Sequence, residues 1–132
     1  MFIPIAKNSP LPAYQQIYNS IEKRILTGEL PPEAPLPSIR QLAQDNLVSI
    51  ITVRRAYSEL ESAGLIYIRP GLGSFVAPVS DARRRELRIG LLKPLLLEAV
   101  YRARELNIDP EQVLELLQTV IEELDSERGK NQ

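Results

Sequence analysis

Four prolines within nine residues, Pro31, Pro32, Pro35 and Pro37 in the stretch 29–37, most constrain what this chain can fold into. Proline fixes φ and lacks a backbone N–H, so no helix runs through this stretch and no central strand includes it. It is expected to be an extended connector, with separate elements on either side. Before it, Pro12-Ala13-Tyr14 opens a helix at a position where the missing N–H does no harm. Tyr14, Ile17, Tyr18, Ile21 and Ile25 form its inward stripe, and Gly28 ends it. Residues 1–10 are apolar and interrupted by proline, an arm with little structure of its own.

After the connector, two serines mark two short helices. Ser38-Ile39-Arg40-Gln41 fits a capping box, in which the Ser side chain serves the N–H three residues on and the Gln reaches back. Ile39, Leu42 and Ala43 then point inward, and residues 44–48 turn the chain. Ser49 caps a second helix that ends at Gly64, with Val53, Ala56, Tyr57, Leu60 and Gly64 on its buried stripe. Ile51, Arg55, Ser58 and Ser62 fall on the opposite side, flanked by Thr52 and Arg54. Isoleucine, arginines and small hydroxyls suit base edges and phosphates better than plain solvent. Two short helices joined by a tight turn fit either a helix-turn-helix or an ordinary helical hairpin.

The next segment favours the helix-turn-helix. Residues 65–69 and 74–77 are β-branched and aromatic, with Pro70-Gly71-Leu72-Gly73 as the turn between them. Three helices closed by a glycine-tipped hairpin make a winged helix. The expected fold class is mainly α with a small β-hairpin wing, a winged helix-turn-helix followed by a C-terminal helical dimerisation region.

Composition narrows the function. The chain has no Cys and no His, which removes disulfide scaffolds, zinc sites, thiol nucleophiles and imidazole bases. No phosphate-cradling loop or paired-carboxylate motif stands in for them, so no enzyme, metal or cofactor is expected. No signal peptide or bilayer-length apolar run appears, which points to the cytoplasm. The net charge is −1, but it is unevenly placed: residues 1–78 carry seven Lys and Arg against six Asp and Glu, and residues 79–132 carry nine against eleven.

The order of short phrases resembles the GntR family of bacterial transcription regulators over roughly residues 11–78. The phrases are Tyr14-Gln15-Gln16-Ile17, Ile25 to Leu30, Leu36 to Ala43, Val48-Ser49 with Thr52-Val53-Arg54, Leu60-Glu61 with Gly64-Leu65-Ile66, and Gly71 to Val76. The resemblance implies DNA contacts from Arg40, Thr52, Arg54, Gly71 and Gly73. Three positions depart from the family pattern. Glu33 and Leu47 stand where glycine is usual, and Ile50 stands where arginine is usual. Ile50 lies near the inward stripe and packs on the core, or it joins Ile51 in touching thymine methyls.

In the C-terminal part, Ser80-Asp81 starts a long helix that Pro94 should interrupt or kink, and Asn107 ends it. Asp109-Pro110-Glu111-Gln112 supplies a cap, a first-turn proline and a capping glutamine for the last helix. Leu92, Leu96, Ala99, Ala103 and Leu106 form one apolar register, and Val113, Leu116, Leu117, Val120, Ile121 and Leu124 form another. So few residues cannot bury that surface alone, so a second copy should cover it. The resemblance adds that so short a two-helix tail is similar to that of the YtrA-like subfamily. Arg83, Arg84, Arg85 and Arg88 either reach flanking phosphates or form a solvated face.

These readings divide the chain into an arm (1–10), a DNA-binding domain (11–78) and a dimerisation region (79–132). The expected DNA-facing set is Ser38, Arg40, Ser49, Ile50, Ile51, Thr52, Arg54, Arg55, Gly71 and Gly73. The expected partners are double-stranded DNA and a second copy of the chain, acting as a repressor on a pseudo-palindromic operator, with no membrane partner. No effector pocket is marked. The alternative is a winged-helix module for protein assembly.

Overall fold

The chain is described from a computed structural model that covers residues 1–130. Its elements are α1 (Ala13–Leu26), α2 (Ile39–Asn46), α3 (Ile50–Ser62), β1 (Ile66–Arg69), β2 (Gly73–Val76), α4 (Asp81–Glu105) and α5 (Pro110–Lys130). The fold is mainly helical with one antiparallel hairpin, as expected. It divides into two compact units, Met1–Arg88 and Ile89–Gln132.

In the first unit the helical stripes meet as their periodicity requires. Ile17, Ile21, Ile25 and Leu26 of α1 pack in one core with Leu42 and Ala43 of α2 and with Val53, Ala56, Tyr57 and Leu60 of α3. Burying each large side chain removes enough apolar surface to contribute about 1.5–3 kcal/mol. Gly64 is not on the buried stripe: it is exposed beyond the end of α3, and Leu65 is the next buried residue. Its left-handed φ of 75° suits the helix exit.

The proline-rich connector is extended, and it also docks. Glu33 N–H donates to Val76 O at 2.8 Å, Leu36 N–H to Ser74 O at 2.9 Å, and Val76 N–H to Ala34 O at 2.9 Å. Pro35 forms an antiparallel bridge with Phe75. The connector therefore edges the hairpin, with the non-proline residues supplying the donors that proline lacks. Its end is fastened by Tyr57, whose Oη donates to Pro37 O at 2.7 Å. Burial pushes the Tyr57 phenol far above its ordinary range, so it stays a donor.

The arm has no helix or strand, yet side chains distant in sequence fasten it. Ile3 is buried in the core. Its N–H donates to Asn46 Oδ1 at 2.7 Å, and Asn46 Nδ2 donates to Met1 O at 3.0 Å. Gln16 repeats the device: Ala6 N–H donates to its Oε1 at 2.8 Å, and its Nε2 donates to Ala6 O at 3.0 Å. A side-chain amide presents one donor and one acceptor, so it pairs with backbone much as a strand does.

Helix α4 runs through Pro94 without interruption. The carbonyl that the proline ring meets, four residues back, belongs to Gly90, whose backbone has the most freedom to yield. In the second unit Asn107, with φ of 56°, ends α4, and Ile108 N–H closes on Ala103 O at 2.9 Å. Asp109 N–H donates to Gln112 Oε1 at 3.2 Å, which is the glutamine half of the expected capping box.

Leu47 is the C-cap of α2 in a left-handed conformation, φ 54° and ψ 44°, with its side chain 93% exposed. A non-glycine residue there is strained by about 1–2 kcal/mol. Glycine would relieve that strain while losing about 0.5–1 kcal/mol through unfolded-state entropy. Leu47→Gly should therefore raise stability by about 0.5–1 kcal/mol, read from urea unfolding at fixed protein concentration. An unchanged or lowered midpoint would show that the leucine is not strained.

Candidate nucleic-acid interface

The starts of α2 and α3 and the tip of the hairpin hold the DNA-facing residues expected from sequence. At the start of α2, Ser38 Oγ accepts from Gln41 N–H at 3.0 Å. The reciprocal half of that capping box is not made: Gln41 Nε2 turns forward to Asp45 Oδ1 at 2.7 Å. Asp45 also accepts from the Met1 amino group at 2.9 Å, and these bonds hold its carboxyl below the usual range. Arg40 follows the cap and is exposed. It lines an open hollow with Gln44, Leu47 and Ile50.

At the start of α3, Ser49 Oγ accepts from Thr52 N–H at 3.1 Å and shares a 2.7 Å hydrogen bond with Thr52 Oγ1. Both hydroxyls are engaged in the cap itself. Ile50 is 39% exposed and Ile51 76% exposed. The core packing weighed for Ile50 does not occur, because it sits before the first inward position, Val53, and faces the hollow instead. Arg54 is exposed, and no salt bridge holds it among the described residues. Arg55 is drawn sideways: its Cζ lies 3.8 Å from the centroid of the Tyr14 ring, and its Nε lies 3.7 Å from Glu59 Oε1. Cation–π contact with α1 therefore competes with any groove contact by Arg55.

The hairpin pairs Ile66 with Val76, Tyr67 with Phe75, Ile68 with Ser74, and Arg69 with Gly73. Gly71 and Gly73 take φ of 78° and 122°, which favour glycine. A side chain at either position would meet nothing within 4 Å, so the tip leaves its backbone open to another molecule. Tyr67 and Phe75 stack with centroids 5.5 Å apart, and Arg69 Cζ lies 5.5 Å from the Tyr67 ring centroid. Tyr67 Oη donates to Glu33 Oε2, a bond that raises the phenol's pKa. Arg69 is a cation at the wing tip that the sequence reading passed over. Its signal was its place as the last strand residue before the glycine turn.

The arginines after the wing are mostly committed elsewhere. Arg83 pairs with Glu86 at 3.0 Å, Arg84 pairs with Asp81, and Arg88 Nη1 donates to Leu26 O at 2.7 Å, serving the C-terminal end of α1. Arg85 is exposed and makes no salt bridge among the described residues. In the second unit, of the apolar residues expected to dimerise, Ala103 is buried and Val113 half-buried; Leu92, Leu96, Ala99, Leu106, Leu116, Leu117, Val120, Ile121 and Leu124 are exposed. Among the described residues, no helix is long and apolar enough to cross a membrane, and no acidic cluster is arranged to hold a metal.

This architecture has relatives. Residues 13–76 match the family described as bacterial regulatory proteins, gntR family. The chain is 45% identical over 73 residues to the HTH-type transcriptional repressor NagR of Bacillus subtilis (strain 168), covering 55% of this chain but 30% of that protein. It is 35% identical over 114 residues to the HTH-type transcriptional regulator YhcF of the same organism, covering 86% of this chain and 93% of YhcF. Among solved structures, it is similar to YtrA from Sulfolobus acidocaldarius, a GntR-family transcription factor, with 36% identity and a TM-score of 0.55 over 71% of this chain and 97% of that one. With its capped helix pair and glycine-tipped wing, the chain belongs to the GntR family of bacterial regulatory proteins, as a DNA-binding transcription regulator rather than an enzyme.

Proposed function

We propose that the chain represses transcription as a homodimer that occupies a pseudo-palindromic operator. Residues 11–78 bind DNA, residues 79–132 dimerise, and the chain acts as a YtrA-like regulator, a reading supported by its likeness to YtrA from Sulfolobus acidocaldarius. The observation that carries this reading is Arg54, exposed on the outer face of α3 and without a salt bridge among the described residues. It reads a base edge in the major groove. Arg40 and Arg55 serve phosphate or a guanine edge, with Arg55 first leaving Tyr14. Ser38, Ser49 and Thr52 hold the helix starts against the backbone, and the Gly71–Gly73 tip meets the neighbouring backbone or minor groove. Ile50 and Ile51 lie at the end of α3 that enters the groove.

Two recognition helices on a two-fold axis read half-sites about 34 Å apart, which requires a dimer. The exposed leucines of α4 and α5, with Val120 and Ile121, support that dimer, since so many large apolar side chains left in solvent mark an association site. In operation, repression follows from occlusion of the promoter.

Three outcomes test the proposal. Binding to a sequence selected from a random duplex pool should weaken with added salt, with a slope that counts neutralised phosphates. Sequence-blind binding of about micromolar strength, indifferent to salt, would favour an assembly module instead. Arg54→Ala should cost about 1–3 kcal/mol in operator binding and relax preference at one base pair per half-site; an unchanged footprint and affinity would remove Arg54 from the readout. Leu117→Glu should yield monomers in sedimentation, and a persisting dimer would refute the proposed interface.

A further inference from the structure

We infer that the leading turn of α3 reads thymine through its 5-methyl group, with Ile51 as the principal contact and Ile50 beside it. This rests on the proposal that α3 enters the major groove. Three observations lead to it. The two hydroxyls of the turn, on Ser49 and Thr52, are bonded to each other at 2.7 Å, and Ser49 also serves the Thr52 N–H. Half of their joint hydrogen-bonding capacity is spent within the turn itself, which leaves one O–H donor between the two of them. What the turn presents instead is aliphatic surface: Ile51 is 76% exposed and Ile50 39% exposed, the latter in the hollow it shares with Arg40. Neither belongs to the core, so the core does not account for two β-branched apolar residues there.

An apolar side chain in the major groove has one apolar group to meet, the C5-methyl of thymine. Cytosine carries a hydrogen at the same position, and the purines present only donors and acceptors along that edge. The inferred half-site therefore has thymine opposite the start of α3. Because the contact is to a methyl group rather than to the full base pattern, 5-methylcytosine should substitute for thymine in part. Arg40, in the same hollow as Ile50, adds a cation beside this apolar contact.

The test deletes the methyl alone. An operator selected from a random duplex pool by the full chain is remade with deoxyuridine in place of thymidine at each half-site position in turn. At the contacted position the wild-type protein should bind the deoxyuridine duplex about fourfold more weakly, the loss associated with exposing one methyl group. Ile51→Ser, a change on an exposed surface, should bind thymidine and deoxyuridine duplexes equally. Arg54→Ala should weaken both while keeping their ratio. A cytosine duplex should regain affinity when that cytosine is 5-methylated. Equal wild-type affinity for thymidine and deoxyuridine at every position would overturn the inference while leaving sequence-specific binding intact. Failure to select any sequence would overturn the parent reading and this one with it.

Discussion

The hydrogen bond from Tyr57 to the carbonyl of Pro37 is the contact on which the arrangement of the first unit turns. Tyr57 lies in the middle of the inward face of α3, packed with α1, while its hydroxyl reaches the last residue before the α2 cap. One side chain thus sets α3 against α1 by packing and against the start of α2 by a directed bond. Such a bond contributes only about 1 kcal/mol net, but its loss would leave a part-buried carbonyl without its donor. The connector ending at Pro37 also edges the wing through its bonds to Val76 and Ser74. The three places proposed to meet DNA therefore share one anchored segment.

The departures from the family pattern have a common physical basis. Glu33 and Leu47, standing where glycine is usual, take φ of 70° and 54°. Both positions keep the left-handed turn that glycine favours. Glu33 offsets the strain by accepting a hydrogen bond from Tyr67 and donating its N–H to Val76 O, tying connector to wing. Leu47 has no such compensation, since its side chain stands almost wholly in solvent. The third departure, Ile50, concerns surface chemistry rather than backbone: it exchanges a cation for an aliphatic group at a helix start whose hydroxyls are already engaged.

Electrostatics at this interface depend less on the number of charges than on which of them are occupied. The arginines after the wing looked from sequence like a possible phosphate-binding group. Three of them instead close a turn, pair along the helix or serve the end of α1. Arg55 is likewise stacked on Tyr14. Arg40, Arg54, Arg69 and Arg85 are exposed, each contributing a phosphate-sized charge in a protein whose net charge is −1.

The sequence by itself determined the elements, because their signals are local. Ser38 and Ser49 satisfy N–H groups three residues away, the apolar stripes follow the helical period, and glycines mark the turn of the wing. Pro94 shows the limit of such signals: α4 is not interrupted there, and the pliable Gly90 stands four residues before it. Tertiary structure alone decided which side chains are spent on partners distant in the chain. Asn46 and Gln16 fasten an arm far from them in sequence, the proline connector borders a hairpin about forty residues downstream, and Arg88 serves a carbonyl 62 residues earlier. For groups such as these, availability depends on partners that only folding brings within about 3 Å, and no helical periodicity or local spacing encodes that distance.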